Sequence, residues 1–164
     1  MMIKIAGINI FNGNLIKGNS YGNYIKELIK QYQLDPNIEF LGSINAEKLK
    51  ETLLESNLFI CSSSIENSSN SLGEAMLLGV PCIASAVGGN VDMIENAKEG
   101  YLYPFAETYK LAYYIKKIFD NPEIALELGK NAKLKASINH DRYTNVNTLL
   151  SIYEQVLEYS IQSK

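Results

Sequence analysis

The sequence predicts an α/β fold: a Rossmann-like, three-layer αβα arrangement with a mostly parallel sheet and extra helices at its carboxyl end. Two observations lead to this prediction. Short apolar runs alternate with helical segments over the first two thirds of the chain, and that alternation is typical of βαβ units. Residues 107–164 then show no strand pattern and indicate helices only. A chain of 164 residues suits one domain, so we expect a single domain over residues 1–164.

Five short segments have the composition of strands. They are residues 3–6, 38–42, 58–62, 80–85 and 100–104. The third, "LFICS", is apolar almost throughout, which is typical of a strand covered on both faces. In the fourth, Pro81 stands near the start, where a strand tolerates proline.

Helical segments connect these strands and continue after the last one. They are residues 23–33, 45–56, 71–79, 90–96, 107–119, 123–137 and 141–161. The first repeats its apolar residues at helical spacing. The third is expected to stop at Gly79, because glycine commonly ends helices, and Pro122 suits a first helical turn.

Composition argues against several classes of function. The net charge is −3, and lysine and arginine form no block, so the footprint of a nucleic-acid-binding protein is missing. No apolar run has membrane-spanning length and the first residues lack the pattern of a signal peptide, so we expect a cytoplasmic protein. Cys61 and Cys82 lie in separate strand segments and are expected to be reduced structural thiols. One histidine and two separated cysteines offer no obvious zinc site, and we expect no metal.

The loop after residues 58–62 carries the functional groups of most interest, because ligands of parallel sheets bind at the carboxyl ends of strands. The stretch "SSSIENSSNSLGEAMLLGVPCIAS" contains Glu66 and Glu74 with small polar residues between them. Ser69 or Asn70 can cap the helix that follows, and its first N–H groups can bind phosphate. Glu74, about one turn inside that helix, can accept hydrogen bonds from a sugar diol. These groups match a nucleoside-diphosphate sugar, although a carboxylate pair alone is more often part of a solvated turn.

A longer run of residues is more specific than the carboxylate pair. "FICSSSIENSSNSLGEAMLLGVPCIASAVGGNVDMI" (59–94) resembles the retaining glycosyltransferases of the GT-B fold, in the family 4 type known as glycosyl transferases group 1. That family shows two glutamates with seven residues between them, then an Ala-Met pair, a Gly-x-Pro turn and paired glycines. The residues in register are Glu66, Glu74, Ala75, Met76, Gly79, Pro81, Gly88 and Gly89. Residues 38–60 and "EGYLYP" (99–104) extend the resemblance, which covers most of the chain.

The resemblance implies a role for each of nine residues. Glu66 would lie at the donor sugar as the catalytic residue, and Glu74 would accept hydrogen bonds from the nucleotide ribose. Backbone amides between the two glutamates would face the diphosphate and donor sugar, and they belong to Asn67, Ser68, Asn70, Ser71 and Leu72. The loop after "FLG" usually holds the base, which points to Ser43 and Ile44.

Structural alternatives stand beside some of these roles. Core packing is the alternative for Leu72 and Ile44. For Gly88 and Gly89 the alternative is a tight turn after a strand.

This sequence also departs from the family pattern. "ENSSNSLGE" replaces the usual Glu-Gly-Phe-Gly, and Asp92 replaces the glutamate usual after the paired glycines. The family's pyrophosphate-binding arginine and lysine lie on a first strand–helix unit that has no counterpart here, and Lys17 does not match that lysine. The N-terminal, acceptor-binding domain has no counterpart either. We therefore expect the C-terminal, donor-binding half of a GT-B enzyme, whose last helix exposes part of its apolar face or re-docks locally.

The implied parent enzyme transfers a sugar from a UDP-, GDP- or ADP-sugar with retention, in bacterial cell-surface polysaccharide synthesis. Its acceptor is a saccharide or a lipid-linked glycan held by the other domain, and peripheral membrane association of the full-length enzyme is left open. No cofactor is expected, since arginine, lysine and helix amides stabilise the leaving diphosphate. The present part alone is expected to be inactive.

Two other functions are left open. One is a GT-B nucleotide-sugar epimerase, although the only histidine, His140, lies far along the chain from the predicted site. The other is a non-catalytic, flavodoxin-like binding module, which would need an acidic cluster after the first strand. "AGINIFNG" contains no acidic residue.

Overall fold

The computed structural model describes residues 1–7 and 20–162, and Lys17 lies outside them. The chain divides into two compact units, Met1–Leu49 and Lys50–Lys164. Each unit contains a parallel sheet and helices. The predicted α/β class with mostly parallel strands is therefore confirmed.

The first unit is built on a pair of parallel strands. Its elements are β1 (Ile3–Ala6), α1 (Ser20–Gln31), a 3₁₀ turn (Asp35–Asn37) and β2 (Ile38–Gly42). Ile3 lies opposite Ile38, and the N–H of Gly7 donates to the carbonyl of Gly42 at 2.8 Å. Helix α1 ends two residues before the predicted position because Gln33 turns left-handed, with φ of 53°. Helix α2 (Ala46–Leu54) begins in this unit and ends in the next.

The second unit has a three-stranded parallel sheet in the order β3-β4-β5. Its elements are β3 (Phe59–Cys61), α3 (Asn70–Leu78), β4 (Cys82–Ser85), α4 (Asn90–Met93), β5 (Tyr101–Tyr103), α5 (Thr108–Asp120), α6 (Pro122–Asn139) and α7 (Arg142–Gln162). Cys61 lies opposite Ala84, which in turn lies opposite Leu102. Because the strands are parallel and adjacent, the loops after β3, β4 and β5 meet at one edge of the sheet.

Helices α5 and α6 bury the apolar core of the second unit. Its buried members are Ile83, Tyr101, Tyr103, Ile118 and Leu128. The ring of Tyr101 stacks on that of Tyr114 with centroids 4.4 Å apart. Burying each large side chain of this kind stabilises a fold by about 1.5–3 kcal/mol.

Helix α7 exposes apolar side chains along its length. Five that share its predicted apolar face are each between 47% and 61% exposed: Val146, Leu149, Leu150, Tyr153 and Val156. Of the two expectations for the last helix, exposure of the apolar face is confirmed. Among the helices that the structure describes, none is long and apolar enough to cross a membrane.

Candidate functional site

Helix α3 begins directly after the loop that carries Glu66. Ser69 is its N-cap: the backbone is extended there, and the Ser69 hydroxyl accepts a hydrogen bond from the N–H of Leu72 at 3.3 Å. Of the two candidate caps, the structure therefore selects Ser69. The helix ends where predicted, at Gly79, whose φ of 77° is left-handed.

The side chain of Glu66 is half-buried in the loop between β3 and α3. The hydroxyl of Ser63 donates a hydrogen bond to its Oε2 atom at 3.2 Å. The carbonyl of Ser63 accepts a hydrogen bond from the hydroxyl of buried Ser85, at the end of β4, at 2.6 Å. Ser63 thus ties the Glu66 carboxylate to the neighbouring strand. Sequence reasoning missed Ser63 and Ser85, because their importance depends on which strands are adjacent.

The paired glycines after β4 pack against the backbone of the same loop. A Cβ on Gly88 would lie 1.5 Å from the carbonyl oxygen of Glu66, and one on Gly89 would lie 2.0 Å from that of Asn67. The N–H of Gly89 donates to the carbonyl of Asn67 at 2.8 Å. The glycines therefore do more than turn the chain, because they let two backbones touch and so place Glu66 and Asn67.

The other predicted donor-binding residues of this segment differ in exposure. Asn67, Ser68, Asn70 and Glu74 are exposed, and Ser71 is half-buried. The side chain of Leu72 is fully buried, and its N–H is bonded to Ser69. Packing in the core, the alternative considered for Leu72, accounts for its side chain. The N–H groups of Asn70 and Ser71 lie in the first turn, where helix geometry provides no partner.

Ser43 and Ile44 belong to the first unit, in the loop between β2 and α2. Ser43 is exposed and Ile44 is half-buried. Gly42, just before them, adopts a left-handed φ of 67° and turns the chain out of β2. Both residues follow the carboxyl end of a parallel strand, and their predicted contact with a base stays a prediction.

His140 lies close to helix α3, although it is far from α3 along the chain. A Cβ on Gly73 would lie 3.0 Å from His140 Nε2 and 3.4 Å from Met93 Cε. Met93 Sδ is in turn 3.9 Å from the hydroxyl of Ser68. His140, far from the candidate site along the chain, is therefore close to α3 in space. The absence of a side chain at Gly73 is what admits the imidazole, and this pairing of α3 with the end of α6 could not be seen in the sequence.

Both cysteines of the second unit are free and buried, as predicted. Burial raises the pKa of the Cys82 thiol far above its usual range, and the neighbouring Cys61 adds to the shift. Cys82 therefore stays protonated at neutral pH and donates to the Val80 carbonyl at 3.1 Å. Within residues 1–7 and 20–162, no three side chains of His, Cys, Asp or Glu are grouped so as to hold a metal ion.

The arrangement provides two kinds of recognition next to each other. The start of α3 offers N–H groups and the positive end of a helix dipole, which favour an anion such as a phosphate. Glu66 and Glu74 offer carboxylate oxygens, which accept hydrogen bonds from hydroxyl groups. A ligand that carries both phosphate and sugar hydroxyls would use the helix N–H groups and the carboxylate oxygens together.

Comparison with known proteins places this arrangement in a family. Residues 3–135 match the model of the family described as glycosyl transferases group 1. The chain is 30% identical over 141 residues to the spore coat protein SA of Bacillus subtilis, covering 84% of this chain and 37% of that protein. It is also 30% identical over 109 residues to the N-acetyl-alpha-D-glucosaminyl L-malate synthase of Bacillus anthracis, covering 66% of this chain and 28% of that protein. The chain therefore spans 37% of the length of the first of these relatives and 28% of the length of the second.

Solved structures of other proteins superpose on this chain. Sucrose-phosphate synthase from Thermosynechococcus elongatus superposes with a TM-score of 0.81 at 25% identity, over 95% of this chain and 38% of that one. The Anabaena protein HepE, solved in complex with UDP-glucose, gives a TM-score of 0.75 at 22% identity, over 99% of this chain and 41% of that one. The C-terminal domain of a group 1 glycosyl transferase from Francisella tularensis gives 0.73 at 15% identity, with 86% of both chains covered. These likenesses show that the fold is shared.

Proposed function

The chain belongs to the glycosyl transferases group 1 family, and from this premise we propose that it is the donor-binding part of a retaining glycosyltransferase. The observation that carries the proposal is the contact between the Glu66 loop and the paired glycines, beside the start of α3. It brings a carboxylate and the N–H groups of a helix terminus to one edge of a parallel sheet. A nucleotide sugar presents a diphosphate and hydroxyl groups together, and this edge offers a partner for each.

The proposal assigns the residues as follows. The amides of Asn70 and Ser71 bind the diphosphate, and Glu74 accepts hydrogen bonds from the ribose hydroxyls. Glu66 lies at the donor sugar. It orients that sugar and stabilises the positive charge that develops at the sugar's anomeric carbon. Asn67 and Ser68 bind the donor from the loop. For Ser43 and Ile44 of the first unit, contact with the base stays a prediction. No cofactor or metal is included.

In the proposed reaction, the bond between the anomeric carbon and the diphosphate oxygen breaks while an acceptor oxygen bonds to that carbon from the same face. The proton of the acceptor hydroxyl passes to an oxygen of the leaving phosphate. Helix amides stabilise the charge that grows on the diphosphate. The acceptor and further positive charge come from outside these residues, so we expect no turnover by this chain alone.

The substrate class follows from relatives and neighbours by analogy. HepE was solved with UDP-glucose, and a relative in Staphylococcus aureus, 28% identical, is named poly(ribitol-phosphate) alpha-N-acetylglucosaminyltransferase. We propose a UDP-, GDP- or ADP-sugar as the donor and a bacterial cell-surface saccharide or lipid-linked glycan as the acceptor. We also propose a cytoplasmic location, with any membrane association peripheral.

A titration with UDP, GDP and ADP, followed by amide NMR shifts, tests the proposal. We expect saturable shifts over residues 66–74 with one of the three, and about tenfold weaker binding in Glu74→Ala, because a charge-assisted hydrogen bond is lost. Glu127→Ala, at another exposed helical glutamate of the second unit, should bind like the wild type. A chain that responds to none of the three nucleotides, or equally in both variants, would contradict the assigned donor site.

An epimerase is the second candidate because His140 lies against α3. Such an enzyme would convert a nucleotide sugar without an acceptor. Incubation of the chain with UDP-glucose or UDP-N-acetylglucosamine, followed by proton NMR of the sugar, separates the two functions. The transferase proposal expects no new stereoisomer, whereas one that forms in the wild type and not in His140→Ala would favour the epimerase.

A further inference from the structure

Two parts of the candidate site are held by different serines. Ser63 donates to the carboxylate of Glu66 at 3.2 Å. Ser69 caps α3 and accepts from the N–H of Leu72 at 3.3 Å. Each serine fixes one recognition group, the acid or the helix terminus, and neither contact joins the two groups to one another.

The thiol of Cys61 lies within reach of both serines. Its Sγ atom is 3.7 Å from the hydroxyl of Ser63 and 3.6 Å from that of Ser69. Because the Ser63 hydroxyl donates its own proton to Glu66, the single thiol proton can be donated to either serine, and not to both at once. Cys61 is the last residue of β3 and is 7% exposed, so its contact with Ser69 is buried, and its contact with Ser63 is partly buried. We propose that Cys61 is a positioning residue, whose thiol couples the Glu66 loop to the first turn of α3. The effect of this coupling on nucleotide binding rests on the proposed function.

Asn90 is a third polar neighbour of the thiol. Its side-chain amide donates to Cys61 Sγ at 3.8 Å and to the carbonyl of Ser85, at the end of β4, at 3.1 Å. Asn90 is fully buried, and its Oδ1 atom has no hydrogen-bond partner. An unpaired buried oxygen lowers stability. An apolar residue at this position would avoid that cost, so the asparagine is better explained by its two side-chain N–H donors, which join the Cys61 thiol to the carbonyl of Ser85 at the end of β4.

The chemistry of sulfur suits this junction. A thiol is a weak donor and a weak acceptor, but its large radius lets one atom approach three polar neighbours at these distances. A serine hydroxyl would lie closer to its own Cβ and would not reach both partners. An apolar side chain would fill the space and contact the same atoms without any hydrogen bond.

Valine separates a hydrogen-bonding role from simple packing, because it fills a similar volume and suits a strand. In the protein without ligand, Cys61→Val should shift the Leu72 amide and the Glu66 side-chain carboxyl resonances together. It should also speed hydrogen exchange of the Leu72 amide about three- to tenfold. Cys61→Ala should change both in the same direction, which guards against a valine variant that fails to fold.

Cys82→Val is the matched control, because Cys82 is also a buried cysteine of the sheet and its thiol bonds only to the Val80 carbonyl among the described contacts. It should leave both resonances unchanged. In the binding arm, UDP should bind Cys61→Val about three- to tenfold more weakly than it binds Cys82→Val.

The outcomes distinguish the inference from the function. If Cys61→Val leaves the two resonances at their wild-type positions, or moves only one of them, the coupling is overturned whatever the nucleotide does. If both resonances move but the wild type binds no UDP, GDP or ADP, the junction is supported and the donor-binding function is overturned. If both move and UDP binds Cys61→Val as tightly as it binds the control, the positioning role in binding is overturned.

Discussion

The backbone N–H of Gly89 donates a hydrogen bond to the carbonyl of Asn67 at 2.8 Å. Through this contact the turn after β4 supports the loop after β3, and the loop carries Glu66. A side chain at either glycine would collide with backbone atoms, which cannot move aside as the end of a flexible side chain can. The paired glycines are therefore part of the construction of the candidate site.

Gly88→Ala should destabilise the second unit by more than its left-handed φ of 48° explains, because the new Cβ would lie 1.5 Å from the Glu66 carbonyl oxygen. We expect a loss of about 2–4 kcal/mol in the free energy of unfolding, measured by urea and circular dichroism. Gly79→Ala is the control, since Gly79 has a φ of 77° and its Cβ would meet Lys133 only at an ordinary 3.5 Å. It should cost about 1 kcal/mol. Equal losses in the two variants would show that the loop yields without strain.

Ser69→Ala should remove the N-cap of α3 and lower the free energy of unfolding by about 1 kcal/mol. Exchange of the Leu72 amide should become faster, since its acceptor is lost. Ser71→Ala, two residues later within the helix, should be neutral or slightly stabilising because alanine favours helices. The cap assignment fails if the two variants have the same stability and the same exchange at Leu72.

Asp141 should make the start of α7 sensitive to acid. Hydrogen bonds from Thr144, including its N–H to Oδ1 at 2.7 Å, hold the pKa of Asp141 below its ordinary value of 3.8. The contribution of this carboxylate is therefore complete above pH 3.8 and is lost as the pH falls through the lower folded pKa. Amide exchange and the chemical shift of Thr144 against pH measure it. Asp141→Asn keeps a capping side chain but has no titratable group there, so its Thr144 signal should stay constant over the pH range in which Asp141 becomes protonated.

Tyr153→Ala, in the exposed face of α7, should change the free energy of unfolding by less than about 0.5 kcal/mol. Tyr153 is 57% exposed. Leu128→Ala, in the buried part of α6, should cost about 2–5 kcal/mol because it leaves a cavity in the core. Urea unfolding of both variants makes the comparison. A loss of 2 kcal/mol or more at Tyr153 would mean that α7 packs against a surface in solution.

Local features of the fold could be predicted because neighbours along the chain determine them. The alternation of strands and helices, the stop of α3 at Gly79 and the proline in the first turn of α6 all follow from periodicity and backbone preference. Not every helix end follows from these preferences. Gln33, a residue without the usual left-handed preference of glycine, ends α1 earlier than predicted.

The residues of the candidate site also fall into two groups, those that one short stretch of sequence reveals and those that only the packing of distant elements brings together. Glu66, Glu74 and a cap at Ser69 or Asn70 could be recognised from one short stretch, since they are local to one loop and one helix. Ser63, Ser85 and His140 could not, because each contacts its partner only after separate strands or helices have packed.

The sequence by itself determined the class of fold, the family and the loop that carries the acidic residues, because spacing and residue type are sufficient for these. Only the tertiary structure decided that Gly88 and Gly89 touch the Glu66 loop, that His140 lies against Gly73, and that Cys61 joins Ser63 to Ser69. The glycine contacts depend on the adjacency of β3 and β4, and the His140 contact depends on the packing of α3 against α6. The Cys61 contacts depend on how the loop after β3 returns to the start of α3. Close packing of elements distant in sequence leaves little trace in any local pattern, and it is this packing that turns a polar loop into a defined site.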